Sequence, residues 1–396
     1  MNKKRLIVFN SFDYGSTGIL CNYLSQADFP AYNKSLFICS NSPKTHQADY
    51  YLYENTTKVY RKIQSIIARR FNKYGFVGKK ATKTALKFVN RAISPEDDLI
   101  ISLHQIESSL FCLDEIIRFA RNKKAKIFIT LHDCWLFTGK CPYFDITGCN
   151  KWVNECDVCN YKKDFPFTSN SNIKKSFLNK INLVLNNKDI ITLVCPSNWI
   201  AKKLEISKLK DMNIAVIHNG IQIDDCKIKK NENKKIGLIS AAYPWTERKG
   251  LKFLKFLSNE LDYSKYELTI VGLIGETGFS NNTKLLPKIN RNELFDEFAK
   301  NDYFVNPTME DNFPTTNIEA LSCGLKIVSF DTGGSCESFD NETGFICDEK
   351  TNKSLLETIL KLGKNNNRSA CIKRAKMYFS KDIFIKNYYN LFNNEN

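Results

Sequence analysis

The sequence predicts two α/β domains, each built around a parallel sheet of the Rossmann kind, on three observations. Short, almost wholly apolar runs alternate with helical stretches, as parallel strands buried on both faces require. Several of these runs end in a glycine turn, a histidine or a proline-led loop, which is where open α/β sheets place their ligands. The 396 residues suffice for two cores of ordinary size.

Composition narrows the function classes. Hydrophobic residues at 43% and aromatic residues at 12% exclude a disordered chain. No run approaches the roughly twenty apolar residues of a membrane span. Lys3-Lys4-Arg5 imitates the charged end of a signal peptide, but Leu6 to Phe9 is too short for its apolar core, so a cytoplasmic protein is expected. A net charge of +16 calls for a negatively charged partner: nucleic acid, an anionic membrane face or a phosphate-bearing substrate. Fourteen cysteines without an export signal argue against a disulfide framework. Most, such as Cys39, Cys112, Cys195 and Cys323, read as small core residues.

In the first half, Arg5 to Asn10 reads as a strand leading into a glycine loop, Gly15-Ser16-Thr17-Gly18, and a helix from Ile19. The glycines permit close backbone approach, and the following amides suit phosphate or sugar hydroxyls. The spacing is neither that of a dinucleotide fingerprint nor that of a P-loop. Val59, Ile63, Ile66, Ile67 and Phe71 then recur at helical spacing among Arg61, Lys62, Arg69 and Arg70. Residues 58–91 hold eleven Lys or Arg and no Asp or Glu. This is a basic amphipathic helix, suited either to a solvated face over an ordinary core or to docking on an anionic membrane surface.

Leu99–Leu103 and Ile127–Leu131 read as parallel strands ending at His104 and His132. A cysteine-rich stretch follows. Cys141, Cys149, Cys156 and Cys159 have the spacing C-x7-C-x6-C-x2-C, from which four thiolates can build a structural zinc site; free core thiols are the alternative. Ile190–Cys195 is a further strand, and Asn219-Gly220 forms a turn that ends the first domain. A charged linker runs from Asp224 to Lys235.

The second half opens with a strand, Lys235–Ser240, and a loop carrying Arg248-Lys249-Gly250, well placed to neutralise a diphosphate. Glu267–Val271 is a strand with a glycine loop behind it. Tyr303–Pro307 is another, and the Pro-Thr-Met-Glu-Asp-Asn-Phe-Pro run cannot continue it. From Pro314 the pattern predicts a short helix ending at Gly324, whose free amides and positive dipole end suit a phosphate. Asp311 precedes that helix and Glu319 lies in its second turn, so that seven residues separate the two carboxylates. A strand, Lys326–Phe330, and a glycine turn at Gly333-Gly334 complete the stretch.

These motifs resemble the retaining glycosyltransferases of family 4, which have the GT-B fold. The resemblance rests on the acidic-x7-acidic spacing of Asp311 and Glu319, on Lys249-Gly250, on Asn219-Gly220 and on Gly15-Ser16-Thr17-Gly18. The cysteine-rich insertion after His132-Asp133-Cys134-Trp135 resembles a subgroup from bacterial polysaccharide clusters. Two departures stand out: Asp311 occupies a position that is usually glutamate, and Tyr243-Pro244 stand where the family commonly has its arginine.

The resemblance implies two Rossmann-like domains facing across a cleft. Residues 1–222, with the insertion at 134–166, would form the acceptor side, 235–376 the nucleotide-sugar side, and 377–396 a helix crossing back. It implies a retaining hexosyl transfer from a nucleotide sugar to a glycan or lipid-linked acceptor, in capsule, lipopolysaccharide or related polysaccharide assembly. Glu319 would hold the ribose and Asp311 the donor sugar. Arg248, Lys249 and the helix start would stabilise the leaving diphosphate without a catalytic metal. Asn312, Phe313, Pro314, Thr315 and Thr316 would line the donor site, Gly15, Ser16, Thr17 and Gly18 would join it, and His132 would touch the sugar. Two other readings are a nucleotide-sugar isomerase on the same fold and a zinc-stapled nucleic-acid-binding protein. The second leaves Asp311 and Glu319 unexplained.

Overall fold

The computed structural model describes residues 3–106, 110–170, 172–223, 234–365 and 367–394. The chain divides into two compact units: Met1–Ile217 with Ile385–Asn396, and His218–Phe384. Most of the linker read over residues 224–235 lies outside the described residues.

Among the described residues unit 1 holds seven strands: β1 (Lys4–Asn10), β2 (Tyr32–Cys39), β3 (Tyr50–Tyr51), β4 (Asp98–Leu103), β5 (Lys126–Thr130), β6 (Ile191–Cys195) and β7 (Asn213–Val216). They form one sheet in the order β3-β2-β1-β4-β5-β6-β7, and every pairing is parallel. Ile7, Phe9, Ile101 and Ile129 are fully or almost fully buried in one core with helix residues such as Ala85 and Ile116. The C-terminal residues of unit 1 complete it: Tyr388 is fully buried, its hydroxyl 2.8 Å from Thr130 Oγ1, and the Phe392 ring lies 4.9 Å from that of Phe128.

Unit 2 repeats the plan with six strands among its described residues: β8 (Ile236–Ala241), β9 (Tyr266–Val271), β10 (Lys284–Leu286), β11 (Tyr303–Asn306), β12 (Lys326–Phe330) and β13 (Gly344–Cys347). Their order is β10-β9-β8-β11-β12-β13, again all parallel. Alternate residues serve two cores: Ile239, Phe304 and Ile327 belong to one, Leu238, Val305 and Val328 to the other. This is the period-2 reading of strands covered on both faces.

In each sheet the strand order reverses once, between β1 and β4 in unit 1 and between β8 and β11 in unit 2. The crevice at such a reversal, beyond the carboxyl ends of the strands, is where doubly wound sheets bind ligands. The loops singled out from sequence leave those strand ends: Ser11–Gly18 after β1, His104 after β4, Arg248-Lys249 after β8 and Glu310-Asp311 after β11. Among the described residues, no helix is long and apolar enough to cross a membrane.

Candidate functional site

In unit 2 the loops after β8 and β11 are bonded to each other. The turn Glu247–Lys249 ends at Gly250, whose left-handed φ of +81° lets it pack on Pro307; a Cβ there would lie 2.0 Å from the Pro307 oxygen. The Arg248 carbonyl accepts from the Met309 amide at 2.7 Å and the Thr308 hydroxyl at 3.1 Å. The Arg248 guanidinium donates to the Glu310 carbonyl at 2.6 Å and lies 3.4 Å from Asp311 Oδ2. Lys249 Nζ reaches the same oxygen at 2.5 Å.

The glycine turn after β12 braces Asp311 from another side. Gly333 has φ +55°, and a Cβ on it would stand 1.8 Å from the Asp311 carbonyl oxygen. Gly334 donates its amide to that oxygen at 3.0 Å, and the Thr332 hydroxyl donates to Met309 at 2.6 Å. Burial of the Asp311 carboxyl favours its neutral form, but Lys249 and Arg248 outweigh burial and hold its pKa below the ordinary value. The result is an ionised carboxylate bridging two cations.

The helix Thr315–Ser322 starts at Pro314 with no side chain capping its first amides. Asn317, fully buried, locks its orientation: its amide donates to Ser335 O at 3.1 Å and Ser338 Oγ at 3.0 Å and accepts from Asn306 at 2.8 Å. Glu319 lies two residues further along, in the second turn of the helix. Burial raises its pKa to about 7, against the pull of Arg291, whose Nε lies 3.8 Å from the carboxylate. Of the other residues expected to line this site, Thr315 and Thr316 are half-buried, while Asn312, Phe313 and Pro314 are buried. Phe313 turns inward, its ring stacked on His218 at 4.7 Å, and its carbonyl accepts from Asn219 at 3.1 Å. Its part in any site is therefore to hold the backbone.

Unit 1 carries the remaining candidates. Gly15-Ser16-Thr17-Gly18 was expected as a loop; it is instead the first turn of the helix Gly15–Ser25. The reason is packing: a Cβ at Gly18 would lie 2.6 Å from the Asp13 carbonyl carbon, so the missing side chain lets the helix begin against that residue. Asp13 in turn is 2% exposed and accepts from the amides of Lys44, Thr45 and His46 and from the Tyr51 hydroxyl. Thr17 donates to Gln105 at 3.3 Å. His132 follows β5 and pairs with His104, Nε2 to Nδ1, at 2.9 Å.

The insertion is held by two buried lysines: Lys140, on the carbonyls of Tyr161 and Asp164 at 2.8 and 2.9 Å, and Lys180, on that of Trp135 at 2.5 Å. Its cysteines are free thiols. The interaction of the Cys141 and Cys159 side chains raises the Cys141 thiol above its usual value and lowers Cys159 to about 6, and Cys156 Sγ accepts the Gly139 amide at 3.1 Å. Among the described residues, no three His, Cys, Asp or Glu side chains stand ready to hold a metal ion.

Sequence reasoning missed Arg291. Its contact with Glu319 spans 28 positions, and only the capping box of Asn290 and Glu293, which starts the helix Arg291–Ala299, marked the place. It also missed the His104–His132 bond, which spans another 28 positions.

With this geometry in hand, comparison with known proteins gives a consistent outcome. Residues 221–378 match the family model described as glycosyl transferases group 1. WcaC of Escherichia coli strain K12, named as a colanic acid biosynthesis glycosyl transferase, is 21% identical over 269 residues, 62% of this chain and 63% of WcaC, so the match spans less than two thirds of that relative. A glycosyltransferase from Rickettsia africae ESF-5 superposes with a TM-score of 0.67 at 14% identity, covering 100% of this chain and 99% of its own. Anabaena Alr3699/HepE, solved with UDP and glucose, gives 0.64 at 12% identity, covering 99% and 100%. The chain thus has the GT-B fold, and its residues 221–378 match the glycosyl transferases group 1 family.

Proposed function

We propose that the chain is a glycosyltransferase that moves a sugar from a nucleotide-sugar donor to a glycan or lipid-linked glycan in bacterial polysaccharide assembly, with retention at the anomeric carbon. One observation carries this reading: Arg248 and Lys249 converge on the Asp311 carboxylate at the strand-order reversal of unit 2, ahead of a helix without a side-chain cap. Two cations and a helix start at one place are what a leaving diphosphate needs, since its developing charge must meet donors already in position. The names of similar proteins support it: WcaC is a colanic acid biosynthesis glycosyl transferase by name, and the HepE structure holds UDP and glucose.

In this reading Lys249 and Arg248 exchange Asp311 for the diphosphate when donor arrives. Asp311, released, accepts hydrogen bonds from donor-sugar hydroxyls. Glu319 accepts from the ribose, and the amides at Thr315 and Thr316 face phosphate oxygens. His132 is proposed to meet a sugar hydroxyl. The cationic set takes the part that a divalent metal plays in other transferases.

The helix Lys58–Phe71 supports an acceptor held at a membrane. Sequence left open whether its apolar stripe is core; Val59, Ile63, Ile66 and Phe71 are exposed, Ile67 is half-buried and Ala68 is buried. The exposed ring of Phe167 lies beside Arg69, 5.7 Å from its guanidinium. An apolar stripe flanked by Arg69, Arg70 and Lys62, with no acidic residue from 58 to 91, is complementary to an anionic lipid surface.

We also propose a structural zinc on Cys141, Cys149, Cys156 and Cys159. Their spacing and the contact of Cys141 with Cys159 support it.

The test of the main reading is incubation with UDP-, GDP-, dTDP- and CMP-sugars. Release of one nucleotide by the wild type, lost in Lys249→Ala, is expected; no release with any donor and any glycan acceptor would oppose it.

A further inference from the structure

In unit 1, Ser102, His104 and His132 form a hydrogen-bonded chain. β4 and β5 are neighbours, with Leu103 opposite Ile129, so the residues just beyond the two strand ends meet. Ser102 Oγ lies 3.1 Å from His104 Nε2, and His104 Nδ1 lies 2.9 Å from His132 Nε2. Ser102 is fully buried and His104 is 2% exposed. His132 lines a small pocket with Gln105, Thr130, Asp133 and Trp135.

Each neutral imidazole carries one N–H, so such a chain has a direction. Burial favours the neutral form of both rings: it drives His104 well below the usual value, helped by His132, and takes His132 down to about 4. One end then fixes the direction. Among the described residues the only acceptor for the Ser102 hydroxyl is His104 Nε2, and a buried hydroxyl proton without an acceptor forfeits a hydrogen bond. Ser102 therefore donates and His104 Nε2 accepts. The His104 proton must sit on Nδ1, where it is donated to His132 Nε2. The His132 proton is left on Nδ1, for which the described residues offer no hydrogen-bond partner.

We propose that His104, oriented by Ser102, is a positioning residue that fixes His132 as the Nδ1–H tautomer, so that His132 offers a ligand oxygen a hydrogen-bond donor and not an acceptor. The tautomer follows from the three side chains alone. Naming that oxygen as a sugar hydroxyl rests on the proposed glycosyl transfer.

The chain has only four histidines, so removing each in turn assigns the ring nitrogens of a 15N-labelled sample, and 15N–1H couplings report which nitrogen carries the proton. The wild type should show both His104 and His132 protonated at Nδ1. Ser102→Ala removes the fixed end, and the Nδ1–H fraction of His132 should fall by about twofold or more. His104→Leu should lower it further, and His104→Asn, whose amide can donate to Nε2, should restore it. Thermal unfolding checks that each variant folds, and Ser102→Ala, which loses one hydroxyl, decides the matter should His104→Leu not fold.

His132 protonated at Nε2 in the wild type, or a tautomer unmoved in a folded Ser102→Ala, would overturn the proposal. The measurement uses neither donor nor turnover. A protein that cleaves no nucleotide sugar yet shows the expected tautomers would count against the proposed function alone.

Discussion

Lys249 Nζ and Asp311 Oδ2 stand 2.5 Å apart, and Arg248 shares the same oxygen at 3.4 Å. The group proposed to hold the sugar thus engages the groups proposed to hold the phosphates. Asp311→Asn should therefore separate the two roles. Free UDP should bind several-fold more tightly by calorimetry, because the cations no longer face a competing carboxylate. Sugar transfer should fall by about tenfold or more, as loss of one well-placed charged hydrogen bond implies. Weaker UDP binding in Asp311→Asn would show that the carboxylate does not compete.

Much of this arrangement was legible in the sequence because it is local. Asp311 and Glu319 lie on one loop and the helix it enters, Arg248-Lys249-Gly250 on one turn, and short-range patterns mark both. The strands β1, β4, β5, β6, β8, β9, β11 and β12 announced themselves as apolar runs, with ends within a residue or two of those observed, while β2, β3, β7, β10 and β13 were not read from sequence. The rest depended on tertiary packing. Gly18 could be read as permissive, but that it seats a helix on Asp13 needs the neighbour's position. The periodicity of Val59, Ile63, Ile66 and Phe71 defined a face without saying that the face is exposed. Arg291 had no local signal for its partner Glu319.

Glu319 gives a pH dependence with a definite sign. Its folded value of about 7 stands above the ordinary 4.5, so between those values the folded protein binds more protons than the unfolded chain and stability falls as pH rises. Ribose hydroxyls donating to the carboxylate favour its ionised form. UDP binding should therefore tighten as pH climbs through about 7, with proton uptake by the buffer, and the dependence should flatten in Glu319→Gln. Calorimetry in two buffers of different ionisation enthalpy reads both. A pH-independent affinity in the wild type would remove Glu319 from the ribose site.

The exposed face of Lys58–Phe71 predicts co-sedimentation with phosphatidylglycerol vesicles, weak with phosphatidylcholine alone and reduced by salt. The double variant Arg69→Glu, Arg70→Glu should lose roughly tenfold or more in partitioning, since each basic residue near the lipid contributes about 1 kcal/mol. Ile63→Ser with Ile66→Ser should weaken binding without changing its salt dependence. Equal binding to neutral and anionic vesicles would contradict the charge complementarity.

Metal analysis tests the insertion. Protein purified under reducing conditions should carry one zinc per chain, lost in Cys156→Ala and in Cys159→Ala, with lower thermal stability because metal binding contributes folding energy. Four freely reacting thiols and no zinc would leave these cysteines as packing residues.

Unit 2 is proposed to bind the nucleotide of a sugar donor. A thermal-shift panel of UDP-, GDP-, dTDP- and CMP-sugars, run in chelator on the wild type and Glu319→Ala, tests it most directly. Ligand at about one hundred times its dissociation constant adds about 2.7 kcal/mol to stability, ample for a resolved shift. A shift with one nucleotide family, lost in Glu319→Ala, is expected. A chain that no nucleotide sugar stabilises, but that nucleic acid does, would contradict it.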